Sequence, residues 1–311
     1  MMDPAIKQHP SIYCQVDSLL ALRHLSRSLK ITPGKLCNSA IAGLVRTRYK
    51  GRGMSFAEVR PYQPGDDVRS IDWRVTARTQ KPYTKLYEEE RERPVYMVVD
   101  MRSPMFFGSK SEFKCVFTAK IAVAIAWAAF NQGDRVGALI IQDNHTVDLR
   151  PKRGKNAVLA LIHALVESNS QLDNPANASR TSLAEVLDDA RRIVRPGALV
   201  YVLSDMSDSE PYAPSLSRLA RHADVELIHI FDALEQHLPA QAVALSNGDE
   251  QVTVDSAKQR TALEQSFTAR QEGVKQVCNQ CMIRGFSAKT DQTAEQWLLN
   301  NFAAGAGRRS S

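Results

Sequence analysis

The chain has 311 residues, of which 43% are hydrophobic and 24% are charged, and these values are ordinary for a folded soluble protein. At roughly 100–200 residues per domain, this length predicts one large domain with an appended region. The first residues lack the basic start and apolar core of a signal peptide. The longest uninterrupted apolar run, at 121–130, is half of the ~20 residues that a membrane-spanning helix needs. We therefore expect a soluble, cytoplasmic protein without a transmembrane segment.

The net charge of +6 is compatible with nucleic acid or an acidic partner. However, 34 acidic residues are interleaved with 40 basic ones, and no recognition helix, zinc-finger spacing or aromatic-basic RNA motif is present. A dedicated nucleic-acid-binding protein is therefore disfavoured. A basic module that binds nucleic acid or another acidic surface stays open as an alternative.

The predicted elements begin with two amphipathic helices, at 17–30 and 33–46, followed by a segment at 49–93 that is dense in charge, Gly and Pro. Apolar strands follow at 95–100, 135–142, 146–150, 198–203 and 225–231. Helices at 112–131, 155–167, 183–194 and 214–222 separate most of them. The remaining elements are a hairpin at 242–254, a long helix at 256–283, a short strand at 286–289 and a last helix at 293–302.

This alternation predicts an α/β fold with a mostly parallel, doubly wound sheet and helices on both faces. The strand at 146–150 follows a tight turn, so it is expected to be an antiparallel edge strand. We divide the chain into an N-terminal region of helices and β/loop structure at 1–93, an α/β domain at 94–303 and a disordered tail at 304–311.

The charged segment carries the run G-R-G-M-S-F-A-E-V-R-P-Y-Q-P-G-D-D-V-R-S-I-D-W-R-V-T-A-R at 51–78. This run closely resembles the bacterial family called domain of unknown function 58, and looser similarity extends over most of the chain. The matching residues are Gly51, Gly53, Phe56, Arg60, Tyr62, Gly65, Asp66, Arg69, Asp72, Trp73, Ala77, Arg78 and Glu90.

The resemblance implies that this segment leads into a von Willebrand factor A-like domain. Members of the family are often encoded beside a MoxR-type AAA+ ATPase, which suggests a partnership in chaperone-like complex assembly or maturation. Many relatives carry two transmembrane helices near the N-terminus, so this chain is similar to the short soluble form. The expected function is that of a non-enzymatic adaptor that binds a protein.

Matched charges around an aromatic residue distinguish the family-like segment. We favour the interpretation that they form a buried clamp that ties the N-terminal region to the sheet, because buried charges must be paired. The alternative is that they frame a partner-binding surface. A catalytic role is disfavoured because the segment has no histidine. The clamp residues are Gly53, Phe56, Arg60, Tyr62, Gly65, Asp66, Asp67, Arg69, Asp72, Trp73, Arg74, Arg78 and Glu90.

The resemblance to the A-type fold also implies a metal site, because that fold holds Mg²⁺ or Ca²⁺ through D-x-S-x-S after the first strand, a Thr and a later Asp. Such oxygen ligands suit hard cations. Here Asp100, Thr181 and Asp205 match the pattern, but Arg102 and Pro104 stand where two serines belong. In addition, Ser103 is one position out of phase.

Two orientations of Arg102 are open. If the side chain turns inward, its guanidinium could lie between Asp100 and Asp205 and replace the cation. If it points outward, a weak Mg²⁺ or Ca²⁺ site remains possible at Asp100, Thr181 and Asp205. We favour a degenerate, metal-free site without a cofactor, because a cation beside Arg102 meets like-charge repulsion.

An enzyme, for example a metal-dependent hydrolase at the carboxyl edge of the sheet, is the main alternative to an adaptor. Ser204, Asp205 and His229 are its candidate residues. The chain has no H-E-x-x-H, G-x-S-x-G or phosphate-cradling glycine loop, so no complete catalytic set is apparent.

Overall fold

The computed structural model describes residues 9–31, 54–64, 66–89, 93–171, 181–208, 210–246, 251–254 and 256–303. Several predicted features lie outside these ranges: the helix at 33–46, the tail at 304–311, and Gly51, Gly53, Gly65 and Glu90 of the family-like segment.

The helices and strands agree closely with the sequence pattern. The strands are β1 Met54–Pro61, β2 Tyr83–Glu89, β3 Pro94–Asp100, β4 Arg135–Ile141, β5 Thr146–Lys152, β6 Leu199–Ser204, β7 Asp224–Phe231, β8 Val243–Ser246, β9 Gln251–Val254 and β10 Arg284–Lys289. The α-helices are α1 Val16–Leu25, α2 Trp73–Thr79, α3 Lys114–Asn131, α4 Lys155–Ser170, α5 Leu183–Ile193, α6 Ala213–His222, α7 Ala233–Gln236, α8 Ala257–Cys281 and α9 Ala294–Phe302.

A six-stranded sheet in the order β10-β7-β6-β3-β4-β5 forms the centre of the larger unit. Its neighbouring strands are parallel except for the antiparallel pair β4 and β5. This confirms the predicted mostly parallel sheet with one antiparallel edge strand. The pair β8 and β9 forms a separate antiparallel hairpin.

Helices cover both faces of the sheet. Because side chains alternate along each strand, each strand contributes to the core on both faces. Val95, Met97 and Val99 of β3 belong to a core that includes buried residues of α1, α3, α4 and α9. Tyr96 and Val98 belong to a second core with α5, α6 and α8. Fully burying one such aliphatic side chain stabilises a fold by about 1.5–3 kcal/mol, so these two layers hold the strand ends in place.

The chain divides into two units, one of residues 1–36 and 93–311 and the other of residues 37–92. The boundary between residues 92 and 93 lies beside the predicted one, whereas residues 1–36 group with the α/β unit and not with the charged segment. Helix α1 belongs to the larger unit because its apolar stripe needs a core, and Leu19 and Leu22 are buried there. The backbone N–H of Cys14 also donates to the side-chain oxygen of Asn169, at 2.5 Å.

Helix α3 is long and apolar enough to cross a membrane by length and composition. In the fold, 83% of this stretch is buried among the other elements of the larger unit. Packing in a protein core therefore accounts for its hydrophobicity. The helix is followed by Gly133 at φ +83°, the left-handed conformation that the sequence predicts there.

The smaller unit is an antiparallel pair of strands with a short helix between them. Strands β1 and β2 pair from Met54 opposite Glu89 to Pro61 opposite Tyr83. Asp72 caps α2 by accepting hydrogen bonds from the backbone N–H groups of Arg74 and Val75, at 3.0 and 3.2 Å.

Candidate functional site

Acidic side chains gather at the edge where the parallel strands end. Asp100 is the last residue of β3, Asp205 follows β6 and Asp232 follows β7, and each is at most 2% exposed. Asp143 comes shortly after β4. Open α/β sheets bind their ligands beyond the carboxyl ends of the strands, so this edge is the candidate site.

Arg102 turns inward and lies between two carboxylates. Its Nε and Nη2 donate to the two oxygens of Asp100, at 2.9 and 2.6 Å. On the other side, Nη1 and Nη2 donate to the two oxygens of Asp208, at 3.0 and 2.6 Å. Nη1 also donates to the carbonyl oxygen of Thr181, at 2.8 Å. Every N–H of the guanidinium therefore has an acceptor.

Opposing effects act on the Arg102 guanidinium, whose side chain is 5% exposed. Burial alone lowers its pKa, but the hydrogen bonds and negative charges of Asp100 and Asp208 outweigh burial and raise the pKa above its ordinary value. Arg102 is therefore a fixed cation at this edge. Asp100 also accepts a hydrogen bond from the Ser204 hydroxyl at 2.7 Å, and Asp208 accepts one from the N–H of Leu183 at 2.7 Å.

The prediction that an inward Arg102 would lie between Asp100 and Asp205 is wrong for Asp205, because Asp205 has a different partner. The Nζ of Lys114 lies 2.9 Å from an Asp205 oxygen and 3.1 Å from an oxygen of Glu235. Lys114 is the first residue of α3, which packs beneath the edge, and its long side chain reaches the carboxylate from there. A lysine at the first position of this largely apolar helix was the available signal in the sequence.

The ion pair of Lys114 and Asp205 is almost completely buried, with both side chains 2% exposed. Burial raises the pKa of Asp205, but the Lys114 charge and hydrogen bonds from Lys114 and Ser207 outweigh it and lower the pKa to about 2. Burial likewise lowers the pKa of Lys114, whereas Asp205 and Glu235 raise it to a net value above its ordinary one. Both groups are charged at neutral pH.

Ser103 and Thr181 are both engaged with Asp143, which the sequence interpretation placed only in a turn. The backbone N–H of Ser103 donates to the Asp143 carboxylate at 3.1 Å, and its hydroxyl donates to the same carboxylate. The Thr181 hydroxyl donates to the backbone carbonyl of Asp143, at 3.4 Å. The fold thus brings Asp100 and Arg102 together, but it does not assemble Thr181 and Asp205 around them as a set of side-chain ligands.

These residues do not fit a bound Mg²⁺ or Ca²⁺. A cation would need the oxygens of Asp100, and both already accept hydrogen bonds from Arg102. The guanidinium itself lies between Asp100 and Asp208, where a positive ion would be held. Within the ranges that the structure describes, no group of three or more His, Cys, Asp or Glu side chains is arranged to hold a metal.

His229 lies opposite Ser204 on the neighbouring strand, but no hydrogen bond joins the two side chains. Its ring packs against Phe231 and Phe267, with centroid distances of 5.4 and 6.4 Å. Burial lowers the pKa of His229 to about 4, although the nearby Asp205 charge acts in the opposite direction. The hydroxyl of Ser204 donates to Asp100 and not to His229, so these two residues do not form a nucleophile–base pair.

His229 is expected to make the protein less stable in mild acid. Its folded pKa of about 4 lies below the ordinary value near 6.5, so the unfolded chain takes up a proton first as the pH falls. Stability is therefore lost from about pH 6.5 downward, at up to about 1.4 kcal/mol per pH unit. In urea melts at pH 7 and pH 5, His229→Leu should lose less stability than the parent. The exposed control His163→Leu should follow the parent, and a His229→Leu variant that also follows the parent would contradict this expectation.

The family-like segment does not form the predicted buried clamp. Trp73 is 67% exposed, and Arg69, Arg74 and Arg78 are exposed. The reason is local: the acidic side chains bond to groups close in sequence. Asp67 accepts from the N–H of Arg69 at 3.0 Å, much as Asp72 caps α2.

Asp66 illustrates the same local pairing. It forms a 2.8 Å ion pair with Arg60 and accepts from the N–H of Gln63 at 2.9 Å. The Tyr62 hydroxyl donates to the backbone carbonyl of Asp66, at 3.4 Å. Phe56 lies in β1, at a position where the structure describes the backbone only.

The fold and the site define an α/β protein with a mostly parallel sheet, whose carboxyl edge is closed by internal ion pairs. A family model described as "Protein of unknown function DUF58" matches residues 58–276. The chain therefore belongs to the DUF58 family.

Curated relatives are similar along nearly the whole chain. Uncharacterized protein Rv1480 of Mycobacterium tuberculosis strain H37Rv is 26% identical over 287 residues, which cover 91% of this chain and 88% of the relative. Uncharacterized protein Mb1516 of Mycobacterium bovis gives the same values.

Two solved structures are similar at low sequence identity. The conserved hypothetical protein BatB from Bacteroides thetaiotaomicron has a TM-score of 0.41 and 12% identity, and an uncharacterized membrane spanning protein from Vibrio fischeri has a TM-score of 0.23 and 15% identity. Each match covers 66% of this chain and 95% of the other.

Proposed function

We propose that this chain is a non-enzymatic adaptor that binds a protein partner, and that the partner is a MoxR-type AAA+ ATPase in chaperone-like complex assembly. The observation that carries the proposal is the saturation of Arg102 by Asp100, Asp208 and Thr181 at the carboxyl edge. Because the charges of this site are neutralised by one another, the site is suited to fixing the loops at the carboxyl edge in one conformation. It leaves no acidic group of this cluster poised for proton transfer or metal-assisted hydrolysis.

The larger unit, in this proposal, is a von Willebrand factor A-like domain. Support comes from the mostly parallel sheet with its antiparallel edge strand, and from Asp100 at the end of β3. Arg102 then takes the place of the cation that such a domain usually holds. Adaptor function through this unit would be independent of divalent cations, unlike that of A-type domains with an intact D-x-S-x-S motif.

We also propose that the protein acts in the cytoplasm. The supporting feature is helix α3, whose apolar surface is used within the core of the larger unit. A AAA+ partner is consistent with this location, because it needs ATP.

Reciprocal pull-downs from the native host test the proposed partnership. We expect the tagged chain to retain a AAA+ ATPase, and the tagged ATPase to retain this chain, with the amount dependent on whether ATP, ADP or no nucleotide is present. Addition of EDTA in the nucleotide-free arm should leave retention unchanged, because Arg102 occupies the cation position. Repeated failure to retain such an ATPase in every nucleotide state would contradict the proposal.

A further inference from the structure

Helix α2 presents one continuous outward face. At about 100° per residue, Trp73, Ala77, Arg74 and Arg78 lie within an arc of about 140° around the helix axis. All four are exposed. The opposite side carries Val75 and Thr76, which are half-buried, and the Thr76 hydroxyl accepts a hydrogen bond from the N–H of Tyr83 in β2 at 3.1 Å. The helix is therefore fixed by its inner side and free of packing on its outer one.

In the chain without a partner, this outer face makes an unfavourable contribution to stability. Trp73 leaves 67% of its surface in solvent, and Val68 in the turn before the helix is 58% exposed. Arg74 and Arg78 are four residues apart, a spacing at which like charges repel on a helix. Such departures from local sequence preferences are expected where a surface has a function.

The charge of this face is directed outward. Asp67 and Asp72 lie beside it in sequence, but both are occupied as caps of backbone N–H groups, and Asp66 is paired with Arg60. Arg69 in the turn before the helix adds a third exposed guanidinium. A partner that matches this face must therefore carry negative charge.

We propose that the outer face of α2, comprising Trp73, Arg74, Ala77 and Arg78, docks an acidic protein surface that has an apolar pocket for the indole ring. The inference rests on the proposed adaptor function and names the surface that performs it. The few residues that carry most of the binding energy at protein interfaces are enriched in tryptophan and arginine. Arginine also binds carboxylates through two parallel hydrogen bonds.

Single-stranded nucleic acid fits this face less well than an acidic protein. Its binding proteins stack successive bases on several aromatic residues. Among the side chains that the structure describes, Trp73 is the only Phe, Tyr or Trp that is largely exposed.

Tryptophan fluorescence offers a selective test on the full chain. Trp127 and Trp297 are each 2% exposed, so iodide quenching reports almost entirely on Trp73. The probe is a synthetic amphipathic helix with Glu on its polar face and Leu on its apolar face. We expect this peptide to shift the emission of Trp73 to shorter wavelength and to protect it from iodide, and we expect a matched peptide with Lys in place of Glu to do neither.

Substitutions identify the face. Arg74→Glu combined with Arg78→Glu should weaken binding of the Glu peptide by about tenfold or more. The matched control, Arg191→Glu with Arg195→Glu on the larger unit, makes the same change in net charge at exposed positions and should leave binding unchanged. Trp73→Ala should keep the unfolding midpoint of the parent, because its side chain is largely exposed.

The outcomes separate the docking surface from the proposed partner. The proposed docking surface is contradicted if both peptides protect Trp73 from iodide equally. It is also contradicted if oligothymidylate binds more tightly than the Glu peptide. If pull-downs retain the ATPase equally with the parent and with Trp73→Ala, the adaptor function stands and the surface is overturned. If no ATPase is retained but the Glu peptide protects Trp73 in a charge-dependent way, the surface stands and the named partner fails.

Discussion

Replacing Arg102 with alanine is expected to lower the free energy of unfolding by about 3–5 kcal/mol, because it leaves the buried carboxylates of Asp100 and Asp208 without their cation. Urea denaturation monitored by circular dichroism measures this loss. The matched control is Arg192→Ala, since Arg192 is 77% exposed and pairs only with Asp189 among the described residues. That surface pair should contribute less than about 1 kcal/mol. Equal stabilities of the two variants would contradict the structural role of Arg102.

The same site predicts a gain of cation dependence when Arg102 is removed. Combining Arg102→Ser with Pro104→Ser frees the oxygens of Asp100 and Asp208 and adds two hydroxyls. Millimolar Mg²⁺ or Ca²⁺ should then stabilise the variant, by about 2.7 kcal/mol at a concentration 100 times the dissociation constant. The parent should show no change in calorimetric melting. Micromolar binding of Mg²⁺ by the parent would show that Arg102 does not replace the cation.

Replacing Lys114 with methionine should also cost about 3–5 kcal/mol at pH 7, because Asp205 stays buried as an unpaired anion. The pH dependence gives this prediction a distinctive form. In the parent, the folded pKa of Asp205 is about 2, below its ordinary value, so the ion pair stabilises the protein above about pH 4 and is lost as the pH falls towards 2. Without Lys114, burial raises the pKa of Asp205, and protonation removes the cost of burying an unpaired carboxylate. The deficit of Lys114→Met should therefore shrink as the pH is lowered from 7 to 4.

Lys289→Met is the control for this substitution, because Lys289 forms a 2.9 Å pair with Asp291 in which both side chains are about one third exposed. Its effect should stay below about 1 kcal/mol at every pH. A deficit of Lys114→Met that does not depend on pH would indicate that the substitution acts through packing in α3 and not through the charge of Asp205.

The local pattern of the chain was sufficient to predict the main sheet. Each central strand is an apolar run bounded by helices or turn residues, and the short turn at 143–145 predicts the antiparallel edge. Gly133 could be placed as a helix cap because only its own backbone conformation was at stake. Such features depend on residues close in sequence, so periodicity and turn chemistry determine them.

Only the tertiary structure decided how the charges pair. The sequence alone placed Asp100, Arg102 and Asp205 near the carboxyl edge of the sheet, and the fold keeps them there. It could not show that Arg102 selects Asp208, 106 residues away, or that Lys114 takes Asp205. It also suggested burial for Trp73, which the fold leaves exposed. Ion pairing depends on side-chain distances of a few ångströms between distant segments, and burial depends on which elements pack together, so neither is encoded in local periodicity.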